Sequence, residues 1–219
     1  KCLGQGWSER AKIITKLASL KNCPDDAELS FIQACVDASV FKSCVHLQRQ
    51  SIDVLMVHRA AHLYKWNGAV WNYLLELKGK GVIKSLGVSI QTPEELNFAL
   101  DMESVNFIQM PFNILDWRWD QLQEKIKSVK KLRQLTVHVR SALLQGLLAN
   151  TNKTLWQRAH VSDADVIFDW LQRQMDISGC NDVVSLCLRY VFSQRWVDGV
   201  VLGMETKEQL ETNIHIFNL

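Results

Sequence analysis

The stretch Ser51 to Arg59, S-I-D-V-L-M-V-H-R, decides the fold class. Its apolar run, Val54 to Val57, stops abruptly at a histidine and an arginine. A short run that is apolar throughout, rather than at every second position, reads as a parallel strand covered on both faces. Polar chemistry at the carboxyl end of such a strand, with helix-type sequence after it, sits where α/β barrels carry their functional groups.

Five further runs of strand length occur along the chain: Lys12 to Leu17, Ile83 to Ser89, Asn106 to Met110, Leu135 to Ser141 and Val197 to Gly203, with Asp53 to His58 as second in order. Helical periods lie between them. Leu29, Ile32, Val36 and Val40 form one apolar stripe, Leu122, Ile126, Val129 and Leu132 another, and Leu210, Ile214 and Phe217 a third. Trp66 to Lys78 reads as a broader apolar helix before the turn Gly79-Lys80-Gly81, while Asp163 to Met175 and Asp182 to Ser193 read as two helices split at Ile177-Ser178-Gly179. Thr92-Pro93-Glu94-Glu95 carries an N-cap residue, a first-turn proline and early acidic charge, so a helix is predicted to start there. Six β/α units result, whereas a complete (β/α)8 barrel has eight and runs to about 250 residues. The fold class expected is an α/β (β/α)8 TIM barrel, apparently incomplete, its units covering strands 3 to 8, in a single domain over residues 1–219. An open doubly wound sheet is the alternative, but no G-x-G-x-x-G follows the first strand.

Composition narrows the function classes. At 219 residues and 47% apolar content the chain can bury a large core. Net charge is +2 with both signs interspersed, which argues against a nucleic-acid or anionic-membrane surface; Lys125 to Arg133 reads as a solvated helix face. No run approaches the ~20 apolar residues of a spanning helix. The six cysteines, Cys2, Cys23, Cys35, Cys44, Cys180 and Cys187, form no C-x-x-C pair and no zinc spacing. They read as core or free thiols, which suits a reducing cytoplasm.

Four strand ends carry unusual side chains for one barrel mouth: Lys16 in I-I-T-K, His58, Gln109 in F-I-Q-M-P-F-N, and Arg140-Ser141 in H-V-R-S-A-L-L-Q-G-L-L. Each alone is as readily a polar residue leaving a strand for solvent; their coincidence favours a site.

These stretches, together with G-V-I-K-S-L-G-V-S-I-Q-T-P-E-E-L and V-L-G-M-E-T-K-E-Q-L-E-T-N, resemble the aldo-keto reductase family of NADP-dependent oxidoreductases, in the family's order and over nearly the whole chain. The V-R-S-x-x-L-Q-G-L form resembles a bacterial branch associated with sugar metabolism. The resemblance implies reduction of an aldehyde or ketone by hydride transfer, a small-molecule carbonyl substrate, and catalysis by an Asp, Tyr, Lys and His tetrad. Lys16 would inherit the lysine role, favouring ionisation of the tyrosine, and His58 the histidine role of orienting the carbonyl oxygen. Ser89 and Gln109 would hold the nicotinamide carboxamide, and Ser141, Leu143, Gln145 and Gly146 would lie along the pyrophosphate. Gly203, Met204, Glu205, Thr206, Gln209 and Asn213 would meet the adenosine end, although a solvated helix face is an equal alternative for the last two. Arg59 and Arg140 are candidates for substrate contact; Trp66, Trp117 and Trp119 lie near strand ends too, but are expected to pack between helix and barrel.

Three departures from the family pattern stand out. Ile90 replaces the usual Asn after the serine of G-V-S. Glu205 stands where the family often has Ser, near the expected 2′-phosphate, and Gln209 at a position that can be Arg, so NAD is an alternative to NADP. The tetrad's Asp and Tyr belong to sequence ahead of an L-G that corresponds to Leu3-Gly4. Gln5-Gly6-Trp7-Ser8-Glu9 superficially resembles Y-G-x-S-E but lies too close to Lys16, and on either register no tyrosine occupies the catalytic position. Both chain ends read as cut. A non-catalytic module that binds cofactor or a partner is therefore the alternative function, with a Schiff-base enzyme using Lys16 a third.

Overall fold

The computed structural model describes residues 11–217. Six strands form one sheet in chain order: β1 (Ile14–Lys16), β2 (Ile52–Val57), β3 (Ile83–Ser89), β4 (Phe107–Pro111), β5 (Thr136–Arg140) and β6 (Gly199–Val201). The strands run parallel with helices between them, an incomplete (β/α)8 barrel of six strands. The chain divides into two compact units, residues 1–110 with 122–137, and residues 111–121 with 138–219.

The first unit holds β1 to β4 and the helices α1 (Leu29–Leu47), α2 (Ala69–Gly79), α3 (Pro93–Asp101) and α4 (Gln123–Leu132). Every residue of β2 is buried, the apolar run Val54 to Val57 together with Ile52 and the carboxylate Asp53. At about 1.5–3 kcal/mol per buried aliphatic side chain, this strand is a main source of the unit's stability. Helix α1 turns Ile32, Val36 and Val40 inward, and α2 packs on β3 through a face that includes Leu74 and Leu77. Thr92 caps α3 as the sequence predicts, its Oγ1 accepting from Glu95 N at 3.3 Å with Pro93 in the first turn. Arg133, at the end of α4, is no solvated charge: its guanidinium donates to the carbonyls of Leu100, Met102 and Val105.

Asp53 ties three strands together at their amino ends. Its carboxylate accepts from Ile13 N at 3.0 Å, from Arg49 Nη1 at 2.8 Å and from Lys84 Nζ at 2.8 Å. The hydrogen bond from Ile13, then Lys84 and Arg49, hold its pKa below the ordinary carboxylate value against the opposing effect of burial.

The second unit holds β6 and the helices α5 (Lys153–Arg158), α6 (Ala164–Ser178), α7 (Val183–Ser193) and α8 (Lys207–Phe217). Its core joins Leu148, Trp156, Ala164, Leu171, Leu186 and Cys187. Phe112 stacks on Tyr190 and meets the edge of Trp196. Side-chain caps from Asn152, Asp163 and Asp182 start α5, α6 and α7, and Gly179, at φ +66° and within the expected split, ends α6, which runs on to Ser178 rather than stopping at Met175.

Candidate active site

In the first unit, the carboxyl ends of four consecutive strands deliver Lys16, His58, Ser89 and Gln109. Register sets Lys16 beside Met56, Val57 beside Val88, and Ser89 beside Gln109. Residues paired across parallel strands share a sheet face, so Ser89 and Gln109 present hydroxyl and amide side by side. Lys16 Nζ reaches past the end of β2 and donates to Ser89 Oγ at 3.2 Å. Ser89 and Gln109 are 3% and 6% exposed, and the Gln109 side chain makes no hydrogen bond to another described residue. Ile90 N donates to Gln109 O at 2.9 Å, while the Ile90 side chain is fully buried and offers no amide.

His58 and Arg59 are exposed at the end of β2. Loss of water on one side of the ring, then Lys16 and Arg59, hold the His58 pKa below that of free imidazole, so the ring is neutral at pH 7. A neutral ring donates from one nitrogen only, which suits hydrogen bonding to a carbonyl oxygen. One turn further lies His62, which the sequence reading passed over. It is 5% exposed, stacks on Trp66 with ring centres 6.0 Å apart, and has its own pKa lowered by burial, then by His58, Lys65 and Arg59, against a hydrogen bond with the Ser19 backbone. The only signal for it was the H-R-A-A-H spacing, which sets it just behind His58.

In the second unit, Arg140 ends β5 beside Val201, and its carbonyl accepts from Phe112 N at 3.0 Å. Burial lowers its guanidinium pKa. Immediately after it the backbone becomes left-handed at Ser141 (φ +62°), Leu144 (+47°), Gln145 (+57°) and Gly146 (+88°), with Leu143 between them. Left-handed non-glycine residues cost energy and cluster where a loop must present its backbone to a ligand. At Gly146 a Cβ would meet nothing within 4 Å, so the requirement there is φ rather than space. Buried Asn113 braces the adjoining segment, its Oδ1 accepting from Leu115 N at 3.0 Å.

The loop after β6 carries Gly203, Met204 and Glu205, all exposed. Thr206 Oγ1 then accepts from Gln209 N at 3.2 Å, and Gln209 Oε1 accepts from Glu205 N at 2.8 Å. Gln209 is thus engaged in closing the start of α8. Asn213 is buried at 8% exposure, not a solvated position, and its amide makes no hydrogen bond to a described residue. Trp119 is fully buried and donates to Asp116 at 3.0 Å, and half-buried Trp66 donates to Pro24 O at 2.7 Å, whereas Trp117 is 77% exposed. Leu3-Gly4 and the Gln5 to Glu9 segment lie outside the described residues.

The aldo/keto reductase family model matches residues 1–219. The chain belongs to the aldo/keto reductase family. Among solved structures it is similar to the holo form of aldo-keto reductase AKR11C1 from Bacillus halodurans, with a TM-score of 0.76 and 20% identity over 99% of this chain and 70% of that one. The apo form of the same protein gives 0.75 at 19% identity, covering 98% and 68%. The Pseudomonas aeruginosa protein PA4992 gives 0.66 at 18% identity, covering 98% and 69%. No curated protein matches the chain significantly. Aldo/keto reductases generally use NAD(P)H on small carbonyl substrates. Within the first unit the chemistry fits the amide end of such a cofactor: the buried Ser89 hydroxyl and the Gln109 amide, which has no hydrogen-bond partner among the described residues, are groups that can pair with a carboxamide. No helix among the described residues is long and apolar enough to cross a membrane, and no three metal-ligating side chains gather among them.

Proposed function

We propose that this aldo/keto reductase chain serves the NAD(P)H-dependent reduction of a polar, sugar-like aldehyde or ketone in the cytoplasm. The observation that carries the reading is the Lys16 Nζ to Ser89 Oγ hydrogen bond, made beside Gln109 and next to a histidine kept neutral at pH 7. When bound, the reduced nicotinamide supplies a hydride to the carbonyl carbon. Ser89 and Gln109 hold and orient its carboxamide. His58 donates a hydrogen bond to the carbonyl oxygen, which fixes the carbon for attack and offsets the charge growing on oxygen. Lys16 keeps positive charge close to that oxygen and would favour ionisation of the family's tyrosine, the proton donor, which has no counterpart at the catalytic position of this sequence. Arg59 and Arg140 are assigned to polar substituents of the substrate.

A second reading, cofactor binding without turnover, is favoured by Ile90, which removes an amide from the nicotinamide side, and by Glu205 in the adenosine loop. Titration of NADPH fluorescence with protein, alongside NADPH consumption with a panel of aldehydes and keto-sugars, tests both. Binding with turnover that Lys16→Met lowers by about 10²-fold or more supports the first reading. Binding with no turnover of any carbonyl supports the second, and no binding overturns both.

A further inference from the structure

Helix α1 is apolar on two opposite faces. Ile32, Val36 and Val40 turn into the core, while Phe31, Ala34, Ala38, Phe41 and Val45 are exposed, Phe41 at 71% and Val45 at 55%. At 3.6 residues per turn these five positions fall in one narrow stripe on the side away from the core. Their spacing alternates between three and four residues, the seam of a paired helix rather than the wider stripe of a helix packed on a sheet. A surface helix ordinarily carries polar residues on its outer face, so this stripe is apolar area left in water. Asp37 stands on one flank and Lys42 on the other, both exposed. On the Asp37 side an apolar groove of about 900 Å³ runs between α1 and the end of α2, lined in part by Val40, Phe41, Cys44, Val45, Leu77 and Val82.

We propose that the α1 stripe is the docking surface for a second copy of this chain, the two α1 helices pairing side by side and parallel about a two-fold axis. In the heptad register set by the stripe, Phe31, Ala38 and Val45 take the a positions and Ala34 and Phe41 the d positions, while Asp37 is a g residue and Lys42 the e residue that follows. A parallel two-fold pair sets g of each helix against the next e of the other. Each Asp37 therefore meets Lys42 of the second copy, twice by symmetry. An antiparallel pair sets g against g instead, and there Asp37 has no cation to face, since the other g residues of α1 are Ser30 and Cys44. The Asp37 carboxylate is already held in place by Tyr73, whose hydroxyl oxygen lies 2.9 Å from both carboxylate oxygens and donates to them.

Packing suits a like helix as well as charge does. The two small layers, Ala34 and Ala38, let the backbones approach, and each Phe41 ring enters the space beside Ala38 and Val45 of the second copy. The groove beside Asp37 extends the apolar surface that this copy covers. Every residue of the seam belongs to the first unit, so the surface is complete within it. One helix stripe with its bordering groove lies at the small end of the ~800 Å² per partner of standard interfaces, so a dissociation constant of roughly 10–100 µM is expected.

Sedimentation equilibrium of the 219-residue chain over about 1–300 µM, under reducing conditions, tests the pairing. The average mass is expected to rise from that of one chain toward that of two. Phe41→Lys places charge in the middle of the seam and is expected to raise the dissociation constant by about 30-fold or more. Lys42→Asp alone sets two carboxylates against each other and is expected to weaken association by about 5-fold or more, whereas Asp37→Lys/Lys42→Asp recovers the parent constant to within about 3-fold. The double variant also lacks the Tyr73 contact, so its recovery reports charge pairing between copies. Phe41 and Lys42 are exposed, and the thermal midpoints of their single variants at the lowest concentration are expected to match the parent. The mass of one chain at every concentration overturns the proposal and leaves the stripe to a partner of other sequence. A dimer indifferent to Phe41→Lys also overturns it, since the copies then meet elsewhere. Loss of the dimer in Phe41→Lys without recovery in the charge exchange overturns the parallel pairing.

Discussion

At Asp53 a single carboxylate gathers an amide, a guanidinium and an ammonium from three elements, and its near-burial leaves little water to take their place. Asp53→Asn keeps the shape but removes the charge, and urea denaturation is expected to show a loss of about 2–4 kcal/mol. A loss below about 0.5 kcal/mol would mean that the three contacts are mutually replaceable. His62 makes a second, pH-dependent case. Its folded pKa lies below the unfolded value near 6.5, so the unfolded chain binds more protons as pH falls. The contribution to stability is therefore complete above about pH 6.5 and is lost as pH drops toward the folded pKa. Urea midpoints measured from about pH 7.5 down to 5.5 should decline less steeply in His62→Gln than in the parent; equal slopes would reject His62 as the source. Lys16 and His58 were legible in the sequence because each interrupts an apolar run. Asp53 and His62 were not, since the partners that define them come from distant stretches.

Among the elements, β3 was legible to the residue at both ends, because the turn at Gly81 precedes it and the helix-start signal Thr92-Pro93 closely follows Ser89. Strand β6 is shorter than its Val197 to Gly203 run, since hydropathy does not report where pairing with β5 stops. The expected helix from Trp66 instead opens with Trp66, Asn67 and Gly68 all left-handed, and α2 begins only at Ala69. Apolar periodicity carries no information about the sign of φ. Helix α5 was missed because its six residues are too few to establish a period. Gly87 shows a constraint that pattern reading also misses: a Cβ there would collide with the Phe107 carbonyl oxygen and lie 2.7 Å from Phe107 Cβ on β4. A backbone carbonyl cannot step aside as a flexible side chain can. Gly87→Ala is expected to cost about 3 kcal/mol, at the upper end of overpacking, read as a lowered thermal midpoint; an unchanged midpoint would show that β3 and β4 can separate locally.

For the molecule as a whole, a net charge of +2 spread over both signs supplies no broad field to attract a dinucleotide, so affinity must come from local groups. Those groups are uneven. Ser89, Gln109 and Asn213 are buried polar side chains suited to amide and ring contacts, whereas exposed Glu205 puts negative charge in the loop assigned to the adenosine end. In the proposed binding mode a phosphate on the ribose would meet repulsion there, while a ribose hydroxyl would be able to donate to the same carboxylate. A ligand that binds only the folded state at a hundredfold over its Kd adds about 2.7 kcal/mol, which for a chain of this size corresponds to roughly 5–10 °C in Tm. Thermal unfolding with saturating NADH is expected to show a shift of that order, and NADPH at equal concentration a smaller one. Glu205→Ser should raise the NADPH shift and lower or leave unchanged the NADH shift. If NADPH already gives the larger shift in the unaltered chain, the repulsion assigned to Glu205 is wrong, and if neither nucleotide moves Tm, the assigned binding groups do not form a site.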